Sequence, residues 1–120
     1  MRMYSLSSEG RVNFIVYKSN QSIASNVYIN GNYSYYISSS YIKPLKFTAP
    51  SNGTFHFYTS GTLNSYLTIY DNNMIFIGYN DNGIGLNASY YMYLEQGDVI
   101  YIFLRYYDPT TYGTTTFHIE

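Results

Sequence analysis

The sequence predicts an all-β chain, an antiparallel β-sandwich of jelly-roll type with about nine strands, and three observations carry that prediction. Between Asn64 and Tyr107, four aromatic-rich, β-branched runs are separated by Asp/Asn/Gly turns roughly every ten residues, the rhythm of short strands that each bury one face. Helix formers are scarce: Ala occurs only at Ala24, Ala49 and Ala88, against 18 Tyr, and the prevalent Tyr, Ile, Thr, Phe and Val suit a pleated, half-buried surface. The 120 residues provide one core, so 1–120 reads as a single domain, with 1–20 as an extra edge strand or a linker.

Residues 11–18 (RVNFIVYK) alternate Val12, Phe14 and Val16 with Asn13, Ile15 and Tyr17, the period of two of a strand. Ile23 to Ile29 and Asn32 to Ile37 flank Asn30-Gly31, which predicts a two-residue type I′ hairpin because both positions need positive φ. Pro44 is expected at a strand start or edge, where its missing N–H is tolerated. Leu45, Phe47 and Ala49 alternate with Lys46 and Thr48, and Pro50-Ser51-Asn52-Gly53 makes a turn. Phe55 and Phe57 then point one way while Thr54, His56 and Tyr58 point the other. Leu67 and Ile69 should face the core, and the turn Asp71-Asn72-Asn73 leads into Met74–Tyr79. Beyond the Asx/Gly loop Asn80 to Gly85, Leu86, Ala88, Tyr90, Met92 and Leu94 alternate with Asn87, Ser89, Tyr91 and Tyr93. Val99 to Tyr107 is apolar on both faces, as in a central strand covered on both sides or one whose outer face meets a partner. Phe117 and Ile119 close the core.

Six Lys and Arg against seven Asp and Glu give a net charge of −1, which leaves no electrostatic footprint for nucleic acid. Only 11% of residues are charged, so solubility rests on Ser, Thr, Asn and Tyr, a surface that suits a secreted or cell-surface module. The absence of cysteine excludes disulfides, thiolate nucleophiles and sulfur-ligated metals. No run of about 18 apolar residues is present, so no membrane insertion is expected. His56 and His118 sit on strand faces opposite the Phe residues, no Gly-x-Ser-x-Gly elbow occurs, and Asp71 with Asp81 is the one pair of acids to weigh for glycoside hydrolysis. The chain is expected not to be an enzyme.

The succession KPLKFTAPSNGTFHFYTSG, NSYLTIYDNN, FIGYNDNGIG, SYYMYLEQGDVIYIFLRYY and TTTFHI resembles the bacterial pre-peptidase C-terminal domain, itself similar to the collagen-binding domains of clostridial collagenases. The resemblance covers residues 30–119 and includes a hairpin around Glu95 to Asp98. It implies a jelly-roll sandwich that follows an exported protein as an accessory or binding segment, several such domains holding calcium. Where those domains carry a paired Asp-x-Asp, this chain has Asn64-Ser65-Tyr66, so both carboxylates are missing. Asp71, Asn73, Asn80, Asp81 and Asn82 form the dense oxygen cluster on which calcium would have to rely. Calcium takes six to eight oxygens with several carboxylates, and these residues also serve as turn formers through their own side chains.

Eighteen tyrosines exceed what one small core buries with every hydroxyl satisfied, so rings are expected on the surface. Tyr35, Tyr36, Tyr91, Tyr93, Tyr106, Tyr107 and Tyr112 are the candidates, suited to contacting a polysaccharide or an extracellular protein with large area at low entropic cost. A structural subunit of an extracellular fibre, appendage or phage particle, self-associating through the same rings and strand edges, is the alternative, and a small hydrolase is a third reading.

Overall fold

The computed structural model describes residues 23–81 and 85–120. The expected strand at 11–18, the 1–20 segment and Asn82 lie outside the described residues. Nine strands are described: β1 (Ser25–Val27), β2 (Asn32–Ile37), β3 (Lys43–Thr48), β4 (Gly53–Ser60), β5 (Ser65–Asp71), β6 (Phe76–Asn80), β7 (Ser89–Leu94), β8 (Val99–Tyr106) and β9 (Gly113–Ile119). They form two sheets, ordered β1-β3-β8-β5-β6 and β2-β9-β4-β7. With β1 set aside, the orders 3-8-5-6 and 2-9-4-7 describe an eight-stranded jelly roll. Consecutive strands mostly alternate between sheets, and every pairing is antiparallel except that β1 joins the edge of β3 in parallel, Ser25 opposite Leu45.

That topology corrects the turn expectations. β1 and β2 lie in different sheets, so Asn30-Gly31 closes no hairpin. The Gly31 N–H donates to Tyr28 O at 3.1 Å and that of Asn30 to Ile119 O at 2.8 Å. The turn therefore centres on Ile29-Asn30, one residue earlier, with Asn30 at φ 65°. β7 and β8 likewise part into different sheets, so the segment around Glu95 to Asp98 is a crossover. Among the described strands, the one consecutive pair that bond each other is β5–β6, joined through Asp71-Asn72-Asn73. Asp71 Oδ1 accepts from the N–H groups of Asn73 (2.8 Å) and Ile75 (3.0 Å) there. Leu86, expected to face inward, is exposed because it precedes β7.

The core sits between the sheets. Phe47 from β3 meets Phe55 and Phe57 from β4 edge-on, at 5.2 and 5.4 Å between centroids, so three rings bridge the layers. Ile37, Leu45, Leu67, Ile69, Ile102, Leu104, Phe117 and Ile119 complete the seal, each fully buried. Pro44 opposes Phe103 of β8 as the second residue of β3, one position before the described pairing with β1 begins at Leu45, a strand start that tolerates the missing N–H. β8 is central between β3 and β5. Its inner face carries Ile100, Ile102 and Leu104, while Tyr101 and Phe103 on the outer face are buried with Tyr70, as the two-sided apolar pattern anticipated.

Candidate functional site

Strand alternation leaves the outer face of β2-β9-β4-β7 with Ser, Thr, Asn, Tyr and His side chains, and Glu120 beside its rim supplies a charge. Across this face four rings stack in one continuous row. Tyr91 on β7 opposes His56 on β4, with centroids 4.0 Å apart and planes 5° apart. His56 stacks on Tyr58, two residues along the same strand, at 4.5 Å, and Tyr58 stacks at 4.6 Å on His118, its partner on β9. Cross-strand neighbours stand about 5 Å apart, which is why rings placed at paired positions meet face to face.

Hydrogen bonds hold the row upright. His56 Nε2 lies 2.7 Å from Ser89 Oγ, and His118 Nε2 lies 2.7 Å from Ser60 Oγ while its Nδ1 contacts Asn32 Oδ1. Asn32 is on β2, so the row ends by engaging all four strands. The Tyr58 hydroxyl donates to Glu120 Oε2 at 2.7 Å, a bond that raises the Tyr58 pKa. Burial lowers the pKa of His56, with Glu120 opposing it. Both faces of the His56 and Tyr58 rings are covered within the row, so the row presents nitrogen and hydroxyl edges outward. Tyr91 has a ring partner on one side and is 65% exposed; Tyr93, two residues on, is 58% exposed.

Ser60, His118 and Asn32 have the connectivity of a nucleophile, a base and an orienting amide. Acyl transfer also needs donors aimed at an oxyanion and a site that excludes water. Here the contacts lie on the exposed sheet face, where they brace His118 at the end of the row.

The remaining candidates scatter. Tyr36, 64% exposed, shares the face but opposes Thr114 at the far end of β9 from His118. Tyr35 is a correction: it points inward, half-buried against the core beside Tyr33 and under Lys43 Nζ, and burial raises its pKa. Tyr106 is another, buried with its hydroxyl donating to Gly113 O at 2.7 Å, because it continues the inward series of Ile102 and Leu104. Tyr107 and Tyr112 are exposed near the other end, Tyr107 beside Tyr66 on the opposite sheet. The sequence reading missed the histidines as part of the face, although their alternation with Phe55, Phe57 and Phe117 placed them there.

The calcium candidates do not converge. Asn80 opposes Leu67, four residues along β5 from Asp71, which sets the two ends roughly 14 Å apart at strand rise. Asp71 and Asn73 thus lie at one end of the β5–β6 hairpin and Asn80 and Asp81 at the other, where Asn80 Oδ1 accepts from Ser89 N. The same separation parts Asp71 from Asp81 as a hydrolytic pair. At the position of the missing Asp-x-Asp, Asn64 Oδ1 is buried with no partner and the Ser65 hydroxyl is bonded to that of Thr59. Among the described residues no three acidic or histidine side chains gather as metal ligands, so the described candidates do not bring together the several carboxylates that calcium takes.

No family model matches the chain, and no curated protein matches it. Solved structures do. The pre-peptidase C-terminal domain of the Bacillus anthracis collagenase aligns at a TM-score of 0.67 and 13% identity, covering 81% of this chain and 94% of that one. The chain shares that domain's fold. A periplasmic inhibitor of g-type lysozyme from Aeromonas hydrophila aligns at 0.57 and 12% identity over 81% and 97% of the chains. A surface-associated copper-binding protein of Methylomicrobium album aligns at 0.55 and 7% identity over 81% and 98%. The likeness to the pre-peptidase C-terminal domain matches the resemblance read from the sequence, and it is a likeness of fold.

Proposed function

We propose that the chain is a non-catalytic, secreted or cell-surface binding module that attaches an exported protein to a polysaccharide or an extracellular protein through the outer face of β2-β9-β4-β7. The observation that carries this reading is the stacked row Tyr91–His56–Tyr58–His118, which fixes four rings on a rigid sheet. Rings ordered before contact lose little conformational entropy on binding. The open side of Tyr91, with Tyr93 next to it, offers the stacking surface, and the row's edges offer directional hydrogen bonds. A shared fold with proteins described as a collagenase domain, a lysozyme inhibitor and a surface copper binder supports a scaffold that carries binding surfaces, since fold alone assigns no chemistry.

Retention on a panel of insoluble polysaccharides and fibrous matrix proteins tests it. The native chain is expected to be retained by at least one material, and Tyr91→Ala/Tyr93→Ala to lower retention at least about tenfold, as for central aromatic anchors. Its melting temperature should hold, because both side chains are exposed. Retention unchanged by the double substitution would overturn the assignment of this face.

One observation favours a second reading, an assembling subunit: β6 is an uncharged edge strand whose first residue, Phe76, is more than half exposed, as is Ile75 just before it, a template for another copy. Light scattering separates the two, since a binding module stays monomeric and a subunit grows with concentration.

A further inference from the structure

The guanidinium of Arg105 occupies a different place, at the end of the five-stranded sheet. It lies 4.1 Å over the Tyr66 ring and donates one hydrogen bond, 3.1 Å from Nη1 to Tyr106 O. The structure gives it no carboxylate partner among the described residues. Beside it the β2–β3 and β8–β9 loops enclose a cavity of about 200 Å³, lined by Ser38, Ser40, Tyr41, Arg105, Asp108 and Thr111 among others. A guanidinium has five donors in a fixed fork that matches a carboxylate, and of these the protein engages one, at Tyr106 O, on a residue that lines the cavity. Tyr66 continues outward into stacked Tyr79 (5.6 Å) and tilted Tyr107 (6.2 Å).

We propose that this cleft binds one uronic-acid residue of an acidic polysaccharide. Arg105 pairs with the sugar carboxylate, the loop hydroxyls and Asp108 take the ring hydroxyls, and the Tyr66–Tyr79–Tyr107 cluster supports the adjoining sugars. The volume is below that of a drug-sized pocket and admits a single ring. Asp108 decides between acidic ligands: the Thr110 N–H (2.9 Å) and hydroxyl (2.8 Å) stabilise its carboxylate and lower its pKa. The carboxylate accepts hydrogen bonds from ring hydroxyls, donors that a polyglutamate side chain and a phosphate dianion lack. The site is independent of the ring row, on the other sheet.

Calorimetric titration of the full chain with oligogalacturonate, its methyl ester and polyglutamate tests the assignment. Oligogalacturonate is expected to bind, and the ester, with the same ring and no charge, at least tenfold more weakly. Arg105→Gln should lower affinity for the acid by at least tenfold and Arg105→Lys by less, since lysine keeps the charge and loses the fork. A loss of oligogalacturonate affinity in Tyr91→Ala/Tyr93→Ala as large as that in Arg105→Gln would assign the ligand to the ring row and overturn the cleft. Should Arg105→Gln unfold the chain, Asp108→Asn replaces it: weaker oligogalacturonate binding supports the site, and unchanged or tighter binding overturns it. Equal binding of acid and ester, preference for polyglutamate, or no binding of oligogalacturonate overturns the proposal.

Discussion

His56 shows how one side chain joins stability to the surface chemistry. It is stacked on both sides by Tyr91 and Tyr58, faces Ser89 and lies within the field of Glu120. Burial lowers its pKa below the ordinary 6.5, so the unfolded chain takes up its proton first as pH falls. Stability from this residue is therefore complete above the unfolded value and declines as pH drops through the lower, folded one. Melting curves from pH 8 to pH 5 should lose midpoint on the acid side in the native chain, and His56→Gln should flatten part of that loss. Parallel curves for the two proteins would show that His56 does not couple to folding. Tyr106 and Tyr35 mark what sequence could not decide at this scale. Each adjoins a second Tyr, Tyr36 within β2 and Tyr107 just past the end of β8, in runs with apolar or aromatic residues on both faces, so the alternation left the inward ring open; burial selected Tyr106 over Tyr107 and Tyr35 over Tyr36.

Strand existence was legible because Phe55/Phe57, Leu67/Ile69 and Phe117/Ile119 each repeat at period two, and each pair is buried as that period requires. Pairing was not legible. A hairpin and a jelly-roll crossover both need a residue that tolerates positive φ, so Asn30-Gly31 carries the same local signal in either case; long-range pairing of β2 with β9 decides it. Asn30 holds φ 65°, a conformation that costs a β-branched residue about 1–2 kcal/mol. Asn30→Val is thus expected to lower the melting temperature by several degrees and Asn30→Gly to leave it nearly unchanged. Equal losses in thermal melts would assign the position to side-chain contacts instead of backbone geometry. The sequence anticipated a dense Asx cluster for metal, and the β5–β6 hairpin disperses it, because residues nearest in sequence across a turn diverge along the strand that follows.

For the whole molecule, two sheets sealed by the Phe47–Phe55–Phe57 bridge leave two exteriors of different character. One is flat, hydroxylated and crossed by a braced row of rings; the other ends in a guanidinium cleft with an aromatic margin. Composition alone announced that tyrosines must reach the surface, and strand alternation announced Tyr91 and Tyr93. The row itself needed β9 to lie beside β4, a contact between residues some 60 positions apart (Tyr58 and His118) that no local pattern encodes. The most direct test of the central claim is a two-dimensional NMR titration of the labelled chain with whichever polymer fragment it retains. Shifts concentrated on Tyr91, Tyr93, His56, Tyr58 and His118, with the buried Tyr106 unmoved, are the predicted result. Shifts that leave this row untouched while the fragment binds elsewhere would contradict the account.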